Sequence, residues 1–150
     1  ITDKTSFSLD EQIRNCILLL EHQWIDRNIE WDLNLPNTDY YSNADLLSQV
    51  WKNLLENALK FVPDGGKIGV HIYRVADKIA VQVFDNGCGM DAETMNHIFE
   101  KFYQGDTSHA TQGNGLGLAL VKRVVDILSG EIGVQSVYGE GSTFTVRFRR

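Results

Sequence analysis

Four short segments of polar and glycine residues interrupt the apolar runs of this 150-residue chain and constrain its fold more than any other feature. In chain order they cover residues 53–60, 85–89, 99–102 and 113–118. The first lies within a predicted helix, the second directly follows a predicted strand, and the fourth opens another helix. We expect a fold that brings these segments to one cavity, because each carries groups with a different chemical capacity.

Length and composition are those of one globular domain over residues 1–150, long enough to bury a single sizeable core. The formal net charge of -6 argues against nucleic acid as a partner, because phosphate backbones require a basic face. No apolar run approaches the ~20 residues that cross a bilayer, so we expect no direct membrane contact by this domain. The cysteines Cys16 and Cys88 are far apart, and Cys16 is interpreted as a small core residue.

Apolar spacing in the first third of the chain predicts a helix among short strands. The helix follows a strand at residues 7–9 and is capped by Asp10. Alternation over residues 29–33 predicts a half-buried strand, and residues 38–42 form another short one. The predicted buried positions of the helix are Ile13, Cys16, Ile17, Leu20 and Trp24.

A second amphipathic helix and a hairpin follow. The helix opens near Asn43 or Asp45 and ends before the turn signal at residues 63–66. Residues 68–72 and 79–83 then alternate between apolar and other side chains, and the link between them is short. This pattern predicts two antiparallel strands.

The last part of the chain contains a short helix, a long loop, a long helix and two strands. Asp91 can cap the short helix, and residues 101–114 lack any period. The closing strands cover residues 131–137 and 143–148. We therefore predict an α+β two-layer sandwich, in which a mixed, mainly antiparallel sheet packs on about three helices. The predicted apolar face of the long helix is Leu116, Leu120, Val124, Ile127 and Leu128.

The segment on the second helix can bind a metal ion and phosphate. Asn53, Asn57 and Lys60 lie at i, i+4 and i+7, so they share one face. Carboxamide oxygens suit Mg²⁺, which takes hard oxygen ligands from protein, water and phosphates. A lysine one turn further can meet phosphate charge. For this spacing taken alone, a solvated helix face with incidental amides is the alternative.

The segment after the predicted hairpin can recognise an amine. A carboxylate at Asp85 can accept a hydrogen bond from an exocyclic amine, which adenine has and guanine lacks at that edge. A buried acceptor left without this donor costs roughly 1–3 kcal/mol, so such a site would discriminate between bases. Gly87 and Gly89 allow close approach of the backbone to a flat ring. The alternative is a plain turn at the end of the strand.

The third segment is aromatic and the fourth is rich in glycine. Phe99 and Phe102 flank a charged pair and can anchor a loop to the core. Residues 113–118 open a helix, whose free N–H groups and dipole favour phosphate. Neither the P-loop pattern nor the dinucleotide-binding fingerprint fits, because Ala119 and Leu120 stand where a P-loop would end and the glycine spacing differs.

In this order the segments resemble the N box, the adenine-binding box, the F box and the second glycine box of the catalytic and ATP-binding domain of sensor histidine kinases. The resemblance spans about residues 7–148 and implies the Bergerat (GHKL) fold. It implies that Asn57 holds Mg²⁺, that Asp85 binds adenine with support from Thr143, and that residues 102–113 form an ATP lid. The residues it places around ATP are Asn53, Asn57, Lys60, Phe61, Asp85, Gly87, Gly89, Met90, Lys101, Tyr103, Gly113, Gly115, Leu116, Gly117, Leu118 and Thr143.

The function implied by this resemblance is transfer of the γ-phosphate of ATP, with Mg²⁺, to a histidine on a separate dimerisation domain. A response regulator is the downstream partner in the family. No matching phosphoacceptor sequence is present, since His22 is followed by Gln23 and Trp24. We therefore expect a catalytic domain that is inactive alone, belonging to the cytoplasmic part of a membrane-anchored sensor.

Two alternatives share the predicted fold. One is a nucleotide-dependent regulatory module of the anti-sigma type, a group that generally lacks the Phe99 and Phe102 pattern. The other is a degenerate scaffold that binds ATP without transferring phosphate. Gyrase-like members use a glutamate base where this chain has Asn53, which favours phosphoryl transfer over hydrolysis.

Overall fold

The computed structural model describes residues 3–100 and 116–150. Its helices are α1 (Leu9–Leu19), α2 (Glu21–Trp24), α3 (Ala44–Phe61), α4 (Ala92–His97) and α5 (Gly117–Ile127). Its strands are β1 (Thr5–Ser8), β2 (Glu30–Asn34), β3 (Asp39–Ser42), β4 (Lys67–Val75), β5 (Lys78–Asp85), β6 (Glu131–Val137) and β7 (Gly141–Arg149). Within these residues, no helix combines the length and the apolar character needed to cross a bilayer.

One layer of the fold is a five-stranded sheet in the order β2-β4-β5-β7-β6. The β2–β4 pair is parallel and the other pairs are antiparallel, while β1 and β3 form a separate two-stranded sheet. Alternate side chains of the central strands enter one apolar core together with side chains of α1, α3 and α5. The predicted α+β sandwich with a mixed, mainly antiparallel sheet is therefore confirmed. The strand residues of this core include Ile68, Val70, Ile72, Val81, Val83, Phe144 and Val146.

Helix α3 lies at the centre of the other layer and is fixed along its length. The helix begins at one of the two predicted positions, where the side chain of Asn43 accepts a backbone N–H of the first turn at 2.8 Å. In the middle, Trp51 is buried and donates from Nε1 to Oε1 of Gln12 on α1 at 2.8 Å. At the end, the Arg27 guanidinium donates to two backbone carbonyls at 2.7 and 2.5 Å. These carbonyls belong to the helix end, where no intrahelical partner is available.

The predicted cap at Asp10 is wrong. Ser8 is the N-cap residue of α1 and makes no capping hydrogen bond with its side chain. Asp10 lies in the first turn, where it is 1% exposed and accepts the Thr38 backbone N–H at 2.8 Å. The carboxylate therefore ties α1 to the segment before β3, a partner 28 residues away that local spacing cannot reveal.

The predicted apolar face of α5 is also wrong in part. Leu120 and Ile127 are exposed, whereas Val121, Val124 and Val125 are buried. The helix is apolar around much of its circumference, so spacing alone does not select the face that meets the core.

Candidate functional site

The polar face of α3 borders the core, as its spacing predicts. Asn53, Asn57 and Lys60 are all half-buried on this face. The Asn53 side chain donates from Nδ2 to the Gln49 carbonyl at 2.7 Å, which leaves its oxygen available as an acceptor. Burial lowers the pKa of Lys60, whose Nζ lies 5.3 Å from the centre of the Phe61 ring. The face thus offers carboxamide oxygens and a partly desolvated ammonium group.

Asp85 is the last residue of β5 and lies on the inner face of the sheet, in one row with Ser142 of β7 and Ser136 of β6. Burial raises the pKa of the Asp85 carboxyl to about 6, while the backbone N–H groups of Gly87 and Ser142 favour its ionised form. The Gly87 N–H reaches Oδ1 at 2.8 Å. A carboxylate has about four lone-pair positions, so this one can still accept a further N–H donor.

Three glycines allow backbone segments to meet around Asp85. A Cβ on Gly87 would lie 2.5 Å from the Phe61 carbonyl oxygen and 2.8 Å from Oδ1 of Asp85. A Cβ on Gly89 (φ +67°) would overlap a backbone carbonyl at the end of β6. A Cβ on Gly141 (φ +125°) would overlap the Asp85 carbonyl. The segment after β5 is therefore enclosed between the end of α3 and the β6–β7 turn, at positions that only glycine fits.

Two serine hydroxyls connect this segment to the β6–β7 turn. The Met90 backbone N–H donates to Ser136 Oγ at 2.7 Å. Ser136 Oγ lies 2.9 Å from the Gly141 carbonyl, to which it donates, and 2.8 Å from Ser142 Oγ. The segment is thus held at Met90 by a side chain from β6.

The predicted support of Asp85 by Thr143 is wrong by one residue. The strand register pairs Asp85 with Ser142 and pairs Thr143 with Phe84. Because successive side chains of a strand alternate between faces, the Thr143 side chain lies on the face opposite to Asp85. Sequence reasoning missed Ser142 and Ser136. The available signal was a serine at an inward position of each closing strand, where the other inward residues are apolar.

The N-terminus of α5 lies against the polar face of α3. Leu116 is the N-cap residue, and Gly117 and Leu118 begin the helix. A Cβ on Gly117 would lie 3.1 Å from Oδ1 of Asn53. The first N–H groups of a helix lack intrahelical partners, and its dipole is positive at this end. Groups suited to phosphate are therefore brought beside Asn53.

Both contacts are made with α3. Gly117 meets this helix at Asn53, and Gly87 meets it at Phe61, eight positions further along. Eight helical residues span ~12 Å. The arrangement can bind an elongated ligand that has an N–H donor at one end and negative charge at the other.

The donor set of the site fits Mg²⁺ only together with a phosphate ligand. Within residues 3–100 and 116–150, no group of three or more His, Cys, Asp or Glu side chains could hold a metal ion. The half-buried carboxamide of Asn57 supplies one hard oxygen. Mg²⁺ characteristically takes one or two protein oxygens and completes its shell with phosphate and water, so the residues present fit that ion in a nucleotide complex.

Several predicted site residues lie outside the described residues: Lys101, Tyr103, Gly113 and Gly115, with Phe102 and the remainder of the predicted lid. The start of the aromatic segment is described. The Phe99 ring meets the Phe144 ring edge to face, with 6.4 Å between centroids. Phe99 therefore anchors its segment to the core, as one interpretation of the pattern predicted.

Comparison with known proteins identifies the class. The family of histidine kinase-, DNA gyrase B- and HSP90-like ATPases matches residues 42–150, and the chain belongs to this family. The predicted GHKL-type fold is confirmed, because solved catalytic domains of histidine kinases share it over nearly the whole chain.

The similar proteins include histidine kinases. The chain is 42% identical over 119 residues to the circadian input-output histidine kinase CikA of Synechococcus elongatus, covering 77% of this chain and 16% of that protein. The catalytic domain of histidine kinase ThkA is 26% identical, with a TM-score of 0.85 over 99% of this chain and 96% of that one. Full-length ShkA in complex with AMPPNP is 25% identical, with a TM-score of 0.85 over 99% of this chain and 31% of that one. The chain spans 15% to 36% of the length of the curated relatives it matches.

Proposed function

We propose that this chain is the catalytic domain of a two-component sensor histidine kinase, which transfers the γ-phosphate of ATP to a histidine on a separate dimerisation domain. The observation that carries the proposal is the convergence of the Asp85 segment and the α5 N-terminus on the same helix, α3. Its similarity to the histidine kinases CikA and ThkA supports the kinase assignment. The complex of ShkA with AMPPNP supports ATP as the substrate.

The base of ATP binds at Asp85. The ionised carboxylate accepts a hydrogen bond from the exocyclic amine of adenine. Guanine has a carbonyl at the same position, and the carboxylate repels that oxygen. Gly87 and Gly89 allow the ring to approach the backbone, while Phe61 and Met90 flank it. Because the carboxyl is largely desolvated, a base that leaves it without a donor loses binding energy.

The phosphates bind at the other end of the α3 face. Asn57 would hold Mg²⁺, which neutralises phosphate charge when it is bound. Asn53 lies beside the phosphates, and the first N–H groups of α5 at Leu116, Gly117 and Leu118 bind them. Lys60, which is next to Phe61 at the base end, reaches towards the phosphates with its long side chain. We assign Lys101, Tyr103, Gly113 and Gly115 to the same end of the nucleotide on the family resemblance.

Transfer depends on positioning and charge stabilisation rather than on a side-chain nucleophile of this domain. The bond between the γ-phosphorus and its bridging oxygen breaks, a bond to an imidazole nitrogen of the acceptor forms, and ADP remains. Without the acceptor domain the chain binds ATP but transfers nothing. In the whole protein we place this domain on the cytoplasmic side of a membrane-anchored sensor, upstream of a response regulator.

The test combines this chain with a separately produced dimerisation domain of the same sensor and γ-labelled ATP. We expect an acid-labile, alkali-stable label on that domain, and none when the acceptor histidine is replaced. Asn57→Ala, with Mg²⁺ present, should lower the labelling rate. The chain in which Leu120, an exposed residue of α5, is replaced by Gln is the matched control and should label normally.

Two outcomes separate the alternatives. ATP binding without labelling, with both domains folded, favours a nucleotide-dependent regulatory module or a degenerate scaffold. If millimolar ATP with Mg²⁺ produces no thermal shift, the site does not bind ATP. Saturation at 100 times the dissociation constant should stabilise the fold by roughly 2.7 kcal/mol.

A further inference from the structure

We infer that Ser136 is a positioning residue for base recognition: its hydroxyl fixes the Met90 end of the adenine-binding segment relative to Asp85. The inference rests on the proposed function, because it takes Asp85 to be the acceptor for adenine. No sequence motif assigned a role to Ser136. The observation behind it is the set of three hydrogen bonds that the hydroxyl makes.

The hydrogen-bonding capacity of this hydroxyl is fully used. A serine hydroxyl has one proton and two lone pairs. The proton goes to the Gly141 carbonyl at 2.9 Å, and the Met90 N–H at 2.7 Å occupies one lone pair. The Ser142 hydroxyl, at 2.8 Å, then donates to the other. One side chain thus links the adenine-binding segment to both closing strands.

The location of the hydroxyl connects it to the base acceptor. Asp85, Ser142 and Ser136 lie in one row on three neighbouring strands. Directly opposed residues of antiparallel strands have Cβ atoms ~4.5–5.5 Å apart. The adenine-binding segment begins after Asp85 in this row and contacts the row again at Met90, whose N–H bonds Ser136. The Gly87 N–H bond to Asp85 closes the first end, and the Ser136 hydroxyl closes the second.

Loss of the hydroxyl should affect the base end alone. In Ser136→Ala the Met90 N–H loses its acceptor, so the segment is no longer held at a fixed distance from the Asp85 carboxylate. The groups of α3 and α5 that are proposed to bind the phosphates take no part in these three hydrogen bonds. Adenine discrimination should therefore fall, whereas binding through the phosphates should persist.

The experiment measures the dissociation constants of ATP and inosine triphosphate with Mg²⁺, at a temperature where circular dichroism shows each variant folded. Inosine triphosphate has a carbonyl where ATP has the exocyclic amine. For Ser136→Ala we expect ATP affinity to fall roughly tenfold and inosine triphosphate affinity to change less than about twofold. Ser136→Thr retains the hydroxyl and should retain the preference for ATP.

The matched control is Thr38→Val, which removes a buried hydroxyl that donates to the Pro36 carbonyl at 2.7 Å. This variant should be less stable but should keep the ratio of the two dissociation constants. Hydrogen exchange of the Met90 amide gives a second readout: the amide should be protected in the wild type and should exchange faster in Ser136→Ala.

The results that overturn the inference are distinct from those that overturn the proposed function. If Ser136→Ala leaves the ratio of the two dissociation constants unchanged, including by an equal loss of affinity for both nucleotides, Ser136 has no positioning role, while ATP binding stands. An unprotected Met90 amide in the wild type also removes it, even if Ser136→Ala fails to fold. A wild-type chain that does not bind ATP overturns both.

Discussion

The proposed base end and the proposed phosphate end of the site are built from different kinds of structure. Around Asp85 the neighbours are backbone carbonyls, backbone N–H groups and two serine hydroxyls from β6 and β7. Around Asn53 the neighbours are the start of α5 and side chains of one helix face. A Cβ on Gly141 meets backbone, whereas among the described residues a Cβ on Gly117 meets the Asn53 side chain, 3.1 Å from its Oδ1.

This difference agrees with the part of the nucleotide that each end is proposed to recognise. A neutral amine is distinguished from a carbonyl by hydrogen-bond direction and distance, which weaken steeply when the geometry changes. Phosphates are attracted by dipoles and charge, which act over a broader range of geometry. The base end therefore requires fixed backbone around its acceptor, while the phosphate end can depend on groups presented by helices.

The pH dependence of folding gives the largest expected contrast. Burial raises the folded-state pKa of Asp85 from 3.8 to about 6. The stability associated with the neutral carboxyl is fully present below the unfolded value and is lost as pH rises through 6. The shift corresponds to about 3 kcal/mol, so the free energy of unfolding of the wild type should fall by about that amount relative to Asp85→Asn between pH 3 and pH 7.

Urea unfolding at several pH values would measure this difference.

Asp10 provides the opposite case. Burial disfavours its charge, but donors from Thr38, Ser8 and Arg14 prevail and lower its pKa, so its contribution is lost as pH falls. Parallel pH curves for the wild type and Asp85→Asn would contradict the proposed desolvation.

Removing the base acceptor should give the next largest effect. In Asp85→Ala the affinity for ATP should fall roughly 10- to 100-fold, because a hydrogen bond to a charged group contributes about 1.5–3 kcal/mol. Affinity for inosine triphosphate should stay within about twofold. Calorimetric titration of both nucleotides measures the two values. Equal losses for both would place the base elsewhere.

Paired glycine substitutions test the difference between the two ends directly. Gly141→Ala combines overlap with the Asp85 carbonyl and a φ of +125°, so it should lower the free energy of unfolding by about 2 kcal/mol. In Gly117→Ala only the Asn53 amide has to shift, and the effect should stay within about 1 kcal/mol, since alanine favours helix. Gly133→Ala, into open space, is the control for Gly141. If both site variants unfold at the same urea concentration, the two ends are equally constrained.

The smallest effect is expected at the metal ligand. Asn57→Ala should weaken ATP binding roughly tenfold with Mg²⁺, which corresponds to the loss of one oxygen ligand, and hardly at all in EDTA. Titration with and without Mg²⁺ separates the two. Lys52→Ala, an exposed residue on the same helix that pairs with Glu56, is the matched control and should bind as the wild type does. A loss that is independent of Mg²⁺ would assign Asn57 to the phosphates instead.

Local patterns predicted the elements whose causes are local. Helix α3 follows from its apolar stripe and a cap three residues before the N–H that it accepts, and the β4–β5 hairpin follows from alternation around a short link. The cap predicted at Asp10 was wrong because the partner of its carboxylate is remote in the chain. The buried face predicted for α5 was wrong in part because valines and leucines occupy much of the circumference of that helix.

The residues of the site also separate into those with local causes, which could be predicted, and those fixed by contacts remote in the chain. The polar face of α3 and the turn at Asp85 could be predicted from spacing and from family resemblance. The choice between Ser142 and Thr143 depends on which face of the sheet each side chain occupies, and this is fixed only when β7 pairs with β5. Ser136 acts through a backbone N–H 46 residues away, so only the folded chain shows its role.

Helix α3 carries contacts to both ends of the site on a single rod of 18 residues, about 27 Å long. A small tilt of this rod changes the geometry of both ends in one motion. The groups that hold it include Gln12 from α1 and Arg27 from the turn after α2. Under the proposed function, a displacement of α1 would tilt α3 and change nucleotide binding at both ends of the site, because Gln12 couples the two helices.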